Sequence, residues 1–212
     1  MDANVAWVNQ KKIEQTMRAL KSNNMEAYLA ENTDELKKIV DGIVADGETV
    51  SFGGSMTLFE TGLIEHMRER KVELLDRYEK GLSGEEIGEI FRKTFFADSY
   101  LTSTNAVTEK GELYNVDGNG NRVAAMIFGP KKVIVVAGVN KIVKDEQEAR
   151  DRVVNISAPA NAKRLNMNTP CAKTGNCSYC NSPDRICKSY TLIKKQDPGR
   201  IHVIFLNDDF GY

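Results

Sequence analysis

An α/β architecture, with a mostly parallel sheet flanked by helices and a polar β-hairpin insertion, is predicted by three features of the 212-residue sequence. The run Val133 to Val139 is continuously apolar and β-branched, which suits a strand buried on both faces at the centre of a sheet. Strand-like and helix-like stretches alternate around a Gly-Gly-Ser turn in ETVSFGGSMTLFE, Glu48 to Glu60, a rhythm that implies parallel strands joined by crossover helices. From Ala97 to Phe128 that rhythm gives way to a Ser-, Thr- and Asn-rich segment broken by Gly-containing turns, which predicts a hairpin. No internal repeat or low-complexity linker interrupts the chain. Residues 1–212 therefore read as one domain, with N-terminal helices over about 3–46 and a cysteine loop over 171–187.

Taken in order, Val5, Val8, Ile13, Met17, Leu20 and Leu29 recur at helical spacing between Ala3 and Ala30, with a break at Ser22-Asn23-Asn24 and Trp7 as a packing anchor. Asn32, with Glu35 three residues on, caps a second helix through Leu36, Ile39, Val40 and Ile43 that ends near Gly47. A central strand then holds Val50 and Phe52. Beyond the turn, Met56, Phe59, Gly62, Leu63 and Met67 form the apolar face of one helix, on which His66 reads as a partly exposed surface histidine. Val72 to Leu75 is a short strand, and Ser83-Gly84-Glu85-Glu86 is a capping box opening a helix through Ile87, Ile90 and Phe91. Tyr100 to Thr102, Ala106 to Thr108 and Glu112 to Val116 are strand pieces. The turn dipeptides Asp117-Gly118 and Asn119-Gly120 follow, then Arg122 and the apolar run Val123 to Phe128. A charged helix spans about Lys144 to Val154, Ser157-Ala158-Pro159 opens another that ends near Asn166, and strands follow near Ser189 to Ile193 and over Ile201 to Leu206.

Hydrophobic residues make up 41% of the chain and charged ones 28%, the balance of an ordinary folded domain. Basic and acidic residues, 29 and 30, are mixed along the sequence, so no basic stripe points to nucleic acid or to an anionic membrane surface. The start, MDANVAWVNQKKIEQ, has no secretory pattern, and no apolar stretch is long enough to span a bilayer; a cytoplasmic location is expected. The N-terminal helix could pack on its own domain or mediate a homodimer.

Two candidate sites emerge. Parallel sheets bind ligands at the carboxyl ends of their strands, so Gly53, Gly54 and Ser55 are expected to meet Thr104, Asn105, Asn119 or Arg122 there, with Ser55 and Thr57 capping the following helix. A guanidinium facing backbone N–H groups suits a small carboxylate or phosphate, although Arg122 also reads as an ordinary strand-edge arginine. Glu60, in the same helix, is a candidate general base or nucleophile; the blander reading is a solvated helix residue. Neither G-x-G-x-x-G nor a P-loop is present, so no nucleotide cofactor is expected. The second site is TPCAKTGNCSYCNSPDRIC, whose Cys171, Cys177, Cys180 and Cys187 are close enough for four thiolates to converge on zinc or an iron–sulfur cluster, with Lys173, Arg185 and Lys188 to offset their charge. Free or disulfide-forming thiols are the alternative.

VSFGGSMTLFETGL, DSYLTSTNAVTEKGELYNVDGNGNRVAAMIFGPKKVIVVAGVNKIV, APANAKRLN, the cysteine loop and RIHVIFLNDDFGY together resemble the LUD-domain family of lactate-utilisation proteins, the LutC or YkgG type, from about Val5 onward. The resemblance implies a fold similar to the isomerase and CoA-transferase-like α/β group. It also implies a place beside iron–sulfur partner subunits in lactate-to-pyruvate oxidation, with Gly53-Gly54-Ser55, Thr104, Asn105 and Arg122 where related folds bind substrate. Acyl or CoA transfer with Glu60 as the acidic group, and a metal-bearing interaction module docking a partner through its cysteine loop, are the competing readings.

Overall fold

The computed structural model describes residues 2–212. Helix α1, Ala3–Ser22, is capped by the Asp2 carboxylate and buries Ile13, Thr16 and Leu20. It does not run on to Ala30. Asn24 takes a left-handed turn, with φ 60°, and Glu26–Ala30 leave as strand β1. That strand lies at a sheet edge, covered by one neighbour, so its short sequence lacks the alternation that marks a strand. Trp7 is 60% exposed and Val5 and Val8 are similarly open, so among the described residues Trp7 is not a buried packing anchor.

Helix α2, Thr33–Ile43, is capped by Asn32 as expected, while Glu35 reaches back to the N–H of Glu31. Strand β2, Thr49–Phe52, leads through Gly53-Gly54-Ser55 into α3, Met56–Glu60, and α4, Leu63–Arg68. These two are not one helix, because Gly62 adopts φ 67° and breaks it. His66 on α4 pairs with Asp41 at 2.8 Å. After β3, Glu73–Leu75, comes α5, Gly84–Lys93, with both arms of the Ser83–Glu86 capping box formed. Then follow β4, Ser99–Thr102, β5, Ala106–Thr108, and β6, Leu113–Asp117.

The apolar run after Arg122 is helical: α6 spans Asn121–Ile127, its first turn capped by the Asp117 carboxylate, which accepts from the N–H groups of Arg122 and Val123. Arg122 is thus a helix residue and not a strand-edge arginine. Strand β7, Lys132–Gly138, precedes the two-residue β8, Ile142–Val143, and α7, Glu146–Arg152. Ser157 does not open a new helix. One π-helical turn, Val153–Ser157, carries α7 directly into α8, Ala158–Arg164. The wide turn lies just before Pro159, whose missing N–H would leave a gap in a regular α-helical ladder. The chain closes with α9, Pro170–Thr174, β9, Ser189–Ile193, and β10, Ile201–Leu206.

The main sheet is parallel throughout, in the order β1-β10-β7-β4-β2-β3, so β7 and β4 are central and β2 lies one strand from the edge. Period-two alternation sorts its side chains between two cores. Val133, Val135, Ala137, Val203 and Phe205 face α1, α6 and the second sheet, whereas Ile134, Val136, Ile204, Leu101 and Val50 face α2, α3 and α4. The predicted hairpin, β5 with β6, is extended into a four-stranded sheet, β8-β5-β6-β9, that packs on the first core.

Candidate functional site

A cavity of about 240 Å³ opens where β2, β4 and β7 end. Its wall includes Gly54 and Ser55 after β2, Arg77 after β3, Ser103, Thr104 and Asn105 after β4, and Lys141 after β7; Asn119 comes from the β6–α6 turn, Arg122 from the first turn of α6 and Arg164 from the end of α8. The cavity lies where the strand-end rule expects one, and six of the expected residues, Gly54, Ser55, Thr104, Asn105, Asn119 and Arg122, line it. Gly53 and Thr57 lie just beneath. A Cβ on Gly53 would come within 2.5 Å of Thr102 Oγ1 and 2.8 Å of the Tyr100 hydroxyl, so glycine alone lets β2 turn against β4. Ser55 caps α3 by accepting from the Leu58 N–H, while Thr57 is buried and accepts a hydrogen bond from Lys141 instead of capping the helix.

The cationic residues in this wall do different work. Arg122 is almost fully buried and all five of its N–H groups are engaged: Nε with Asp117, Nη1 with the Ser103 carbonyl and Asn115, Nη2 with Asn105 and the Val116 carbonyl. It knits α6, β6 and the β4–β5 loop together, and toward a ligand it offers charge without a free fork of donors. Asn105 Oδ1 is likewise occupied, by Arg122 and the Val116 N–H, but among the described residues its Nδ2 makes no hydrogen bond. The Thr104 hydroxyl is turned inward to the Ala106 and Tyr114 carbonyls.

Arg77 is the contrary case. Its guanidinium lies 4.4 Å from the Phe91 ring centroid and 5.4 Å from that of Tyr78, its Nε is buried without a hydrogen-bond partner, and no carboxylate of the described residues pairs with it. Its Nη1 would touch a Cβ on Gly54 at 3.6 Å, so the absence of that Cβ leaves the guanidinium open to the mouth.

Lys141 is buried, with Nζ 2.8 Å from Thr57 Oγ1 and 2.9 Å from Ser103 Oγ. Burial, reinforced by the Arg152 and Arg122 guanidiniums, brings its pKa down to about 7, with Glu60 pulling weakly the other way. The amine is therefore poised to take or release a proton near neutrality. Arg152 is held behind it by the Asn140 and Asn105 carbonyls and by Ser157. Glu60 is not brought into the cavity: it is exposed on α3, and its carboxylate accepts from the Gly211 N–H at 2.6 Å.

The four cysteines stand apart from that wall. Cys171, Cys177, Cys180 and Cys187 are all free and half-buried, and they line a second, small cavity with Arg185. Burial pushes the Cys187 thiol up, and the other three cysteines push the same way, partly offset by Arg185. Among the described residues no three His, Cys, Asp or Glu side chains already stand in metal-holding geometry. Ile186 joins the two places: it lines the larger cavity and packs over Gly118.

The sequence matches the family model described as the LUD domain over residues 13–206. The chain belongs to the LUD-domain family. LUD-domain proteins are associated with lactate utilisation. In fold this LUD domain is similar to a crystallised DUF162 family protein from Deinococcus radiodurans, with a TM-score of 0.54 and 14% identity over 93% of this chain and 98% of that one. It is also matched by eIF2B beta from Chaetomium thermophilum, at TM-score 0.39 and 15% identity over 56% of this chain and 45% of that one. No curated protein matches it in sequence. No helix among the described residues of the LUD domain is long and apolar enough to cross a membrane.

Sequence reasoning missed Arg77, Lys141 and Arg164. For the first two the signal was available: Arg77 follows β3 and Lys141 follows β7, and the strand-end rule that found Ser55 and Asn105 applies to them equally.

Proposed function

We propose that this LUD-domain protein serves lactate utilisation by holding a small organic anion of the 2-hydroxy or 2-oxo carboxylate class in the cavity at the ends of β2, β4 and β7. The observation that carries the reading is Arg77. A guanidinium stacked on Phe91 and left without a protein acceptor is oriented for a planar carboxylate, which would supply the hydrogen bonds it lacks. Asn105 Nδ2, the Ser55 hydroxyl and the buried, unpartnered Tyr212 hydroxyl are among the uncharged donors in the same wall. Lys141 adds a proton-linked charge. An anion beside it favours the ammonium form, so binding is expected to be tightest below about pH 7 and to weaken as the pH rises through that value.

Such a protein fits a subunit or accessory role in cytoplasmic lactate-to-pyruvate oxidation, beside iron–sulfur partner subunits. Acyl or CoA transfer through Glu60 is disfavoured, because that carboxylate is tied to the Gly211 N–H outside the cavity. Titration calorimetry with L-lactate, pyruvate and inorganic phosphate tests the proposal. Saturable binding of either carboxylate, weakened tenfold or more by Arg77→Gln, is the expected result. Binding of neither carboxylate, or binding unchanged by Arg77→Gln in a folded variant, would overturn it.

A further inference from the structure

Residues 175–188 carry neither helix nor strand, and none of them is buried. A stretch of this length inside a packed domain needs something other than apolar burial to hold it. All the cysteines of the chain lie in it or just before it, and all four face one cavity. Tyr179 takes the left-handed φ of 50° that bends Cys177-Ser178-Tyr179-Cys180 into a tight knuckle, and its N–H points to Cys177 Sγ at 3.4 Å. Backbone strain of this kind in a tyrosine that is itself 63% exposed is not explained by burial of its side chain. An N–H aimed at sulfur is weak toward a thiol and much stronger toward a thiolate. Thr169 Oγ1 lies 3.4 Å from Cys171 Sγ, and the Arg185 guanidinium donates to the carbonyls of Cys180 and Cys187, closing the segment on itself.

We propose that Cys171, Cys177, Cys180 and Cys187 bind a single zinc-class ion as a tetrathiolate, and that this ion is the staple of the segment. All four thiols line one small cavity, and four thiolates at one point suit the tetrahedral preference of a zinc-class ion. Among the described residues no three of these side chains yet stand in metal-holding geometry, so binding requires the thiols to rotate toward one another. Binding replaces the four thiol protons, which pass to solvent, and leaves a zinc tetrathiolate of net charge minus two. Arg185 lines the same cavity, and Lys173 and Lys188 adjoin Cys171 and Cys187 in sequence, so the excess charge has neighbours of opposite sign. The inference is independent of the anion site, since no residue of the ligand set lines the larger cavity.

The test is elemental analysis of the full chain purified under anaerobic reducing conditions, together with thiol titration and cobalt substitution. The expected result is one zinc per chain, thiols that react with a disulfide reagent only as zinc is released, and strong sulfur-to-cobalt charge-transfer bands in the cobalt form. Cys177→Ser with Cys180→Ser is expected to lose the metal while far-ultraviolet circular dichroism stays unchanged. Four freely reactive thiols without metal would overturn the proposal, as would intrachain disulfides, or iron with acid-labile sulfide. Should the double variant not fold, the wild-type cobalt spectrum decides by itself: absence of the charge-transfer bands refutes tetrathiolate ligation.

Discussion

Ile134, Val136, Val203 and Phe205 in the six-stranded sheet are shut away from water on both faces, whereas between residues 175 and 188 no side chain is buried. The first region is ordered by apolar contact spread over many residues, so no single group decides its structure. The second has little apolar area to lose, and what order it has must come from a few specific polar or metal bonds. The candidate anion cavity lies between these regimes. Its floor is the end of the sheet, but Ile186, from the cysteine segment, completes one wall.

The largest expected effect sharpens that contrast at the sheet's end. Arg122→Leu removes the cation paired with Asp117 and the donor to Asn115 Oδ1, and takes one donor each from Asn105 Oδ1 and the Ser103 and Val116 carbonyls, so a loss of about 3–5 kcal/mol is expected in chemical denaturation. Leu101→Ala, in the core against α3 and α4, is expected to cost about 2–5 kcal/mol by the same measurement. Lys141→Met tests the buried amine through pH. With a folded pKa of about 7 against the ordinary 10.5, the destabilisation from burying this lysine is full below pH 7 and fades as the pH rises toward 10.5. Wild-type stability should therefore climb across that window relative to Lys141→Met, and parallel curves would refute the assignment. Smallest in global terms is Cys177→Ser with Cys180→Ser. It is expected to leave the thermal midpoint within a few degrees while proteolysis within 171–187 accelerates about tenfold or more, because local opening there costs little of the domain's total stability. A midpoint that collapses with the metal would erase the distinction between the regions.

The same distinction governs what could be read from sequence. Val133 to Val139 is legible because a doubly buried strand has to be continuously apolar, and the Ser83–Glu86 box because capping is local chemistry. Strand β1 was missed because an edge position relaxes the pattern, and α6 because Val123 to Phe128 is too short for its period to be told from a strand. In the cavity, the glycines and Ser55 announce themselves through turn chemistry. Arg77 and Lys141 are surrounded in sequence by ordinary charged residues, and their importance rests on what is missing around one and what is buried around the other, both tertiary facts. The full occupation of Arg122 is of the same kind: no sequence pattern counts the acceptors that fold around a guanidinium.

Strand β10 sits between β1 and β7, pairing Glu26 with His202 and Ile201 with Val133. On the ribosome this means that β1 is made among the first elements and waits for almost all of the rest of the domain before it finds a neighbour. Until β10 emerges, β7 also has one open edge at the middle of the future sheet. The nascent domain thus carries two unpaired strand edges through most of its synthesis, a period in which a chaperone or a second nascent chain competes with its own last strand. Completion of the main sheet therefore waits for β10, and the cavity at the strand ends, one wall of which follows β7, inherits that timing.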